Sequence, residues 1–257
     1  MDHFDPMALA AEFFAQRARG VFFPFEWVGR LSPDEAYRIQ IAIAASRVAG
    51  GERQVGWKVG LTAKPIQDQF GVHEPWFGFL MNDAPHEAGA AWRFDSLFQP
   101  GLENEICMRM GSALVGPGVT QEGARSAIAT VMPAFEIIET RGDFSGEIQK
   151  GVVDNLQQKG IVVGEEVAYD DSLDLSGVRL VVRINGSVVA EATGEAVLGD
   201  PVNSIVFLAN RLADFGLGLR LDDLVMTGSF TRQFAISNGD AIDASFDGIG
   251  DVSVRFP

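Results

Sequence analysis

The chain has 257 residues, of which 47% are hydrophobic and 21% are charged, as is usual for globular proteins. Its 35 acidic and 20 basic residues give a net charge of −15, which repels phosphate backbones and anionic lipids. Nucleic acids and membrane surfaces are therefore not expected as partners, whereas a cation is. The single cysteine excludes an intrachain disulfide, and three dispersed histidines lack the spacing of a zinc site. Without a basic and apolar leader at the N-terminus, the chain is expected to be cytoplasmic.

The first eighty residues are predicted to be mainly helical. Apolar residues recur at helical spacing near the N-terminus, and residues 32–35 (SPDE) open a second helix with a capping box. Gly50-Gly51 suits the end of that helix, and residues 54–61 have extended character. We expect residues 1–80 to form a helical segment packed on a β-rich catalytic core of residues 81–257.

Strands dominate the rest of the chain. They are predicted over residues 102–110, 134–140, 178–184, 188–196, 224–227, 241–246 and 251–256. Asn185-Gly186 is a strong hairpin signal between two of them. Helices are predicted over residues 120–132 and after Asp200-Pro201, the latter closing at Gly216. This order predicts an α+β fold with a curved, largely antiparallel or mixed sheet.

Three glutamates are candidate metal ligands. Glu103 and Glu105 lie on one face of a predicted strand, about 7 Å apart, although an isolated pair of this kind usually faces solvent. Glu136 lies in an otherwise apolar strand, where a buried carboxylate needs a partner. Three adjacent carboxylates would repel by about 4 kcal/mol per pair, so a cation is needed to keep them ionised. Such an all-oxygen set predicts Mg²⁺ (or Mn²⁺), with open positions for a small 2-oxo acid.

Other polar residues have two open interpretations each. Lys58 lies among glycines and apolar residues, which fits either a surface lysine or a site cation. Asp154-Asn155 fits a turn or a site equally well. Residues 228–231 (GSFT) follow an apolar strand and offer N–H groups and two hydroxyls to an anion, although a plain turn fits equally well.

Seven segments occur in one order along the chain: GWKVGLTAK, FGVHEPWFGFL, LENEI, PAFEIIETR, VVDN, AVLGDPVNSIVFLANRLADFG and MTGSFT. Together they resemble the 2-keto-4-pentenoate hydratase / 2-oxohept-3-enedioate hydratase / 4-oxalocrotonate decarboxylase family, which belongs to the fumarylacetoacetate hydrolase fold superfamily. The resemblance runs from about residue 31 to residue 256. It implies a mixed sheet curled into a barrel-like roll with peripheral helices, and a homo-oligomer.

The resemblance also implies roles for individual residues. Glu103, Glu105 and Glu136 match the family's Mg²⁺ or Mn²⁺ ligands, in agreement with the strand-face argument. Lys58 matches a lysine near the substrate's oxo group, and Asp154 matches an active-site aspartate. Ser229 and Thr231 fall in the loop that meets the substrate carboxylate.

The chain departs from the family pattern at Trp76. Many hydratases of the family have an acidic residue there, whereas the decarboxylase branch resembles this chain in having a non-acidic one. Glu74 is the candidate replacement for the missing catalytic acid, and Trp76 is expected to contact and shape the bound substrate.

A metal-dependent lyase acting on a short 2-hydroxydienoate or 2-oxo-enoate is therefore predicted, with a hydratase of aromatic catabolism as the first choice. A decarboxylase acting on an oxalocrotonate-like diacid is the nearest alternative. An acylpyruvate hydrolase and a non-catalytic metal-binding homologue are further alternatives.

Overall fold

The structure is a computed structural model that describes residues 4–22, 27, 29–64, 67–68, 71–142, 144, 147–170 and 172–257. Its α-helices are α1 Pro6–Arg17, α2 Pro33–Ala49, α3 Gln121–Ala127, α4 Ile148–Val153 and α5 Val202–Ala213. Its strands are β1 Gln54–Gly60, β2 Trp76–Met81, β3 Pro85–Glu87, β4 Ala90–Ala91, β5 Pro100–Met110, β6 Ile128–Glu139, β7 Gln158–Val163, β8 Val167–Ala168, β9 Arg179–Ile184, β10 Ser187–Thr193, β11 Leu224–Met226, β12 Phe234–Ala235, β13 Ala241–Phe246 and β14 Gly250–Arg255.

The larger sheet is mixed. Its strand order is β2-β1-β11-β5-β6-β7-β3, while β12 pairs with β5 and β8 with β6. The long strands β5 and β6 are antiparallel, with Pro100 opposite Glu139 at one end and Met110 opposite Ile128 at the other. Strand β1 runs parallel to β11 and antiparallel to β2. A second sheet has the order β10-β9-β13-β14-β4.

The N-terminal residues contribute to the larger sheet as well as to helices. Because β1 and β2 are hydrogen-bonded members of that sheet, it crosses the expected boundary at residue 80. Strand β1 lies beside β11, so residues that are far apart in sequence are neighbours here. This pairing places Lys58 opposite Met226, next to the strands that carry the glutamates.

Helix α2 packs against the larger sheet. The predicted capping box is present, because the Glu35 amide donates to Ser32 Oγ and the Ser32 amide donates to Glu35 Oε2. Buried Tyr37 stacks on Phe77 of β2, with ring centroids 4.1 Å apart. The side-chain Nε2 of Gln40 donates to the carbonyl oxygens of Phe77 in β2 and Val152 in α4. The helix is thus fixed to both elements by buried contacts.

The helix predicted over residues 120–132 is too long. Helix α3 ends at Ala127, and strand β6 begins at Ile128. Ile128, Thr130 and Val131 are β-branched and favour a strand, and pairing with β5 and β8 satisfies their backbone groups. The strand predicted over residues 134–140 is therefore the second half of a longer one.

Two other sequence signals are confirmed. Asn185 and Gly186 both have positive φ and connect β9 to β10, as a tight hairpin requires. Helix α5 follows Pro201 and is succeeded by Gly216 in a left-handed conformation. Among the helices that the structure describes, none has both the length and the apolar character needed to cross a bilayer.

Candidate metal centre

Three glutamates converge from β5 and β6. Glu103 and Glu136 are direct cross-strand neighbours, and Glu105 lies two residues further along β5 on the same face. One carboxylate oxygen from each residue lies within 4.8 Å of the other two. Glu105 and Glu136 are buried, while Glu103 is partly exposed. The structure therefore brings together the three side chains that were predicted to be metal ligands.

Lys58 of β1 joins this cluster. Its Nζ lies 3.1 Å from Glu136 Oε2, and both side chains are buried. Gly78 of β2 lies opposite Lys58, and a Cβ at that position would be 2.6 Å from Asn155 Oδ1 and 3.3 Å from Lys58 Cγ. Glycine at this position therefore leaves room for the lysine stem, and the buried rather than the surface interpretation of Lys58 is correct.

Gly228 connects the cluster to the loop of residues 228–231. Its amide donates to Glu105 Oε2 at 2.8 Å. Its φ is +106°, and a Cβ here would lie 2.5 Å from the Thr62 side chain. Glycine is therefore required twice, once for its backbone conformation and once for the close approach of Thr62.

The hydroxyl groups of the same loop are held by Asn104. The Asn104 amide N–H donates to Ser229 Oγ at 3.2 Å, and Asn104 Nδ2 donates to Thr231 Oγ1 at 3.0 Å. The Phe230 amide donates in turn to the Asn104 carbonyl oxygen at 2.9 Å. Both hydroxyls thus have defined positions relative to the strand that carries Glu103 and Glu105.

Burial and mutual repulsion perturb the titration of the cluster. Burial raises the pKa of Glu136 to about 7, and it also raises the pKa of Glu103. The pKa of Glu105 is raised well above its ordinary value by burial, and then by the charges of Glu136 and Glu103. Burial alone would lower the pKa of Lys58, but the three carboxylates outweigh it and raise that pKa. Three ionised carboxylates therefore need more positive charge than Lys58 provides.

The donor set fits a hard divalent cation. Both oxygens of buried Glu136 lack a well-formed hydrogen bond among the described residues, even though Lys58 is close to one of them. Buried carboxylate oxygens are rarely left without a partner. The three residues offer oxygen ligands only, which are the ligands that Mg²⁺ and Mn²⁺ prefer.

A cavity of about 420 Å³ opens beside the cluster. Of the predicted site residues, four line this cavity, namely Lys58, Glu103, Ser229 and Thr231. Sequence reasoning missed other polar groups of its wall, namely Thr62, Gln157, Arg232 and Gln233. Thr62 lies inside the motif that carries Lys58, and Arg232 directly follows the motif that ends at Thr231, so the positions of these motifs were the signal that could have found both residues.

Asp154 does not line this cavity within the described part of the chain. Its buried carboxylate pairs with Arg141, whose Nε lies 2.9 Å from Asp154 Oδ2, and with Arg17 of α1. Arg141 also pairs with Glu139 at 2.9 Å. Two guanidinium groups pair with its carboxylate, which stabilises this part of the fold, and the active-site role expected of Asp154 stays a prediction.

Glu74 and Trp76 are not among the described residues that line the cavity. The side chain of Glu74 is exposed and lies 3.9 Å from Arg211 Nε. Trp76 is buried at the start of β2, with its ring centroid 6.0 Å from that of Tyr37. Glu74 thus lies beside α5 and Trp76 packs on α2, and the catalytic role expected of Glu74 and the substrate contact expected of Trp76 stay predictions.

Residues 85–256 match the family described as Fumarylacetoacetate (FAA) hydrolase C-terminal. The chain belongs to this family. It is 35% identical over 229 residues to a 2-hydroxyhexa-2,4-dienoate hydratase of Comamonas testosteroni, with 88% of this chain and 87% of that protein covered. It is 34% identical over 223 residues to a 4-oxalocrotonate decarboxylase of Pseudomonas putida, with 86% and 84% covered.

A solved structure extends the likeness to nearly the whole chain. The 4-oxalocrotonate decarboxylase from Pseudomonas putida G7, complexed with magnesium and adipate, superposes with a TM-score of 0.91 at 30% identity. The match covers 98% of this chain and 97% of that one. The predicted α+β fold of the fumarylacetoacetate hydrolase type is confirmed, and the predicted lyase class agrees with the names of these relatives.

Proposed function

We propose that this chain is a divalent-metal-dependent lyase that adds water to a small 2-hydroxydienoic or 2-oxo-enoic acid during the breakdown of aromatic compounds. The observation that carries the proposal is the convergence of Glu103, Glu105 and Glu136 beside Lys58 at one wall of a cavity. The hydratase of Comamonas testosteroni, at 35% identity, supports hydration as the reaction.

Glu103, Glu105 and Glu136 would hold Mg²⁺ (or Mn²⁺), which when bound supplies positive charge beside the substrate's carboxylate and 2-oxygen. Lys58 adds a second positive charge at the same place. The ammonium group of Lys58, which lies beside Glu136, would donate hydrogen bonds to the substrate's 2-oxygen. Fixed donors of this kind stabilise negative charge as it develops in a transition state.

The loop of residues 228–231 orients the acid group. Ser229 and Thr231 present hydroxyl groups to the cavity, and Asn104 fixes both of them. A substrate carboxylate held by this loop has its 2-oxygen directed toward Lys58. Orientation of the reacting group in this way lowers the entropic part of the barrier.

Decarboxylation is the second candidate, and a specific observation favours it. Among the described residues that line the cavity, Glu103 is the sole carboxylate, and it belongs to the metal cluster. Hydration of a diene needs a proton at a remote carbon, whereas loss of CO₂ leaves an enolate that water can protonate. The 4-oxalocrotonate decarboxylase of Pseudomonas putida, at 34% identity, supports this candidate.

One experiment separates the two reactions. Purified protein with Mg²⁺ is incubated separately with 2-hydroxypenta-2,4-dienoate, with 4-oxalocrotonate and with an acylpyruvate, while 4-hydroxy-2-oxo acid, CO₂ and pyruvate are measured. Formation of the hydroxy acid supports hydration, and release of CO₂ supports decarboxylation. Pyruvate released from an acylpyruvate would indicate a hydrolase instead. Tight Mg²⁺ binding without turnover of any of these acids would contradict the proposal and favour a non-catalytic homologue.

A further inference from the structure

Leu156 borders the cavity close to Lys58. Both residues and Gly60 contribute to the cavity wall. A Cβ built on Gly60 would lie 3.4 Å from Leu156 Cδ1 and 3.6 Å from Lys58 Nζ, so glycine keeps open a small space that the leucine methyl group and the ammonium group share. Because Lys58 pairs with Glu136, Leu156 supplies apolar wall at the end of the cavity that holds the glutamate cluster.

The backbone of Leu156 adopts a conformation that leucine rarely has. Residues 155–157 have φ values of 55°, 51° and 64°, and none of the three is a glycine. A left-handed conformation is unfavourable for residues with a Cβ, and it persists where the surrounding contacts enforce it. The direction of the Leu156 side chain is therefore set by the fold and not by a local preference.

The residues that precede the leucine are held on both sides. The Phe79 amide donates to Asn155 Oδ1 at 2.7 Å, and Asn155 Nδ2 donates to the Phe79 carbonyl oxygen at 2.9 Å. The carboxylate of Asp154 pairs with Arg141 at 2.9 Å and also with Arg17 of α1. The turn that carries the leucine is thus fixed to β2 and to two guanidinium groups, so this part of the wall is rigid.

A fixed methyl group close to Lys58 restricts the shape of the acid that binds there. In the proposed binding mode the 2-oxygen of the substrate lies at Lys58, and C3 is bonded to the carbon that carries this oxygen. Substituents of C3 therefore enter the space that Leu156 borders. A C3 that carries only hydrogen occupies little of this space, whereas an added methyl group must displace the wall, and a closely packed wall resists added groups.

We propose that Leu156 is a specificity-determining residue that excludes acids with a carbon substituent at C3. This inference rests on the proposed function, because it uses the same position of the 2-oxygen at Lys58. The metal ligands and Lys58 recognise the carboxylate and the 2-oxygen, which are the same in branched and unbranched acids. Leu156 adds a limit on the width of the substrate that the charges of the site do not impose.

The test compares 2-oxopentanoate with 3-methyl-2-oxobutanoate, which are isomers of equal charge and differ in branching at C3. Isothermal titration calorimetry measures the binding of each acid to the Mg²⁺-loaded protein. The wild type is expected to bind 2-oxopentanoate about tenfold more tightly, which corresponds to about 1.4 kcal/mol. Leu156→Ala and Leu156→Gly should both reduce that ratio to about one, and glycine also adopts the left-handed conformation without strain.

Leu221→Ala is the matched control, because Leu221 is a leucine with 60% of its surface exposed. This variant should keep the wild-type ratio. Circular dichroism checks that each variant is folded, and the affinity for Mg²⁺ alone should equal that of the wild type in all three variants, since none of them alters a carboxylate of the cluster.

The outcomes distinguish this inference from the function beneath it. Equal binding of the two isomers by the wild type, or a wild-type ratio in the folded Leu156 variants, overturns the role of Leu156 while leaving the 2-oxo acid site in place. A loss of both isomers by the same factor in these variants has the same meaning, because the leucine would then support the site without selecting its ligand. Failure of both isomers to bind to the Mg²⁺-loaded wild type overturns the proposed function and this inference together.

Discussion

Lys58 Nζ lies 3.1 Å from Glu136 Oε2, although β11 and β5 separate their strands in the sheet order. Three strand spacings correspond to roughly 14 Å in a flat sheet. Contact between the two side chains therefore requires the sheet to curl, so that both point into its concave side. The predicted curvature of the sheet therefore brings Lys58, from the N-terminal part of the chain, beside the glutamates.

Glu136→Gln is expected to weaken Mg²⁺ and Mn²⁺ binding at least about tenfold, because a neutral amide replaces one of three anionic ligands. Isothermal titration calorimetry measures the loss, and circular dichroism checks that the variant is folded. Glu191→Gln, at an exposed position of β10 paired with Arg179, serves as the control. Wild-type affinity in Glu136→Gln would contradict the assignment of the cluster as a metal centre.

Lys58→Met is expected to lower kcat by about 10²-fold, because it removes a fixed donor at the oxygen where negative charge develops. Steady-state kinetics with saturating Mg²⁺ provide the measurement. Lys159→Met is the matched variant, since Lys159 is an exposed lysine of β7. If kcat is unchanged in Lys58→Met, the lysine serves only to neutralise Glu136.

The stability of the metal-free protein is expected to fall as the pH rises through about 7. Glu136 has a folded-state pKa of about 7 against an ordinary value of 4.5, so between these values the folded state binds more protons than the unfolded state. The contribution of Glu136 to the free energy of unfolding therefore decreases with rising pH across this window.

Urea unfolding with EDTA at several pH values tests this dependence. Glu136→Gln is the control and should lack this part of the slope. Mg²⁺ should raise the melting temperature more at about pH 8 than at about pH 6, because fewer protons then compete for the carboxylates. A metal-free protein that becomes more stable between these pH values would refute the expectation.

Asp154→Asn is expected to destabilise the fold by about 1–3 kcal/mol, because it removes one of the two carboxylates, those of Asp154 and Glu139, that pair with the buried guanidinium of Arg141. Denaturant unfolding measures the change, with Asp243→Asn on the exposed side of β13 as the comparison. A fully stable Asp154→Asn protein that has lost kcat would show instead that Asp154 acts in catalysis, as the family resemblance implies.

The glutamate cluster was predictable in part from local patterns, and the family resemblance pointed to the same three residues. A strand alternates its side chains with a fixed period of two, which places Glu103 and Glu105 on one face whatever the rest of the chain does. The apolar neighbours of Glu136 showed that it had to be buried with a partner. The helix predicted over residues 120–132 was too long because its end depends on pairing with β5 and β8, which no local pattern shows.

The other misses involve residues that are distant in sequence or unusual in backbone conformation. Arg17 and Asp154 are 137 positions apart, so nothing near Asp154 revealed that its carboxylate is already paired. Residues 155–157 all have positive φ without a glycine among them, and they place Leu156 and Gln157 in the cavity wall. Asp154-Asn155 was compatible with a turn, but without a glycine nothing in the sequence showed that three successive residues adopt this conformation.

The Gly228 amide has a further consequence, because its hydrogen bond to Glu105 links the loop proposed to hold the substrate to a proposed ligand of the metal. Once a cation fixes the Glu105 carboxylate, the acceptor for that amide is fixed as well, and Ser229 and Thr231 follow it. Loading with metal and admission of the organic acid should therefore occur in a set order, with the metal first.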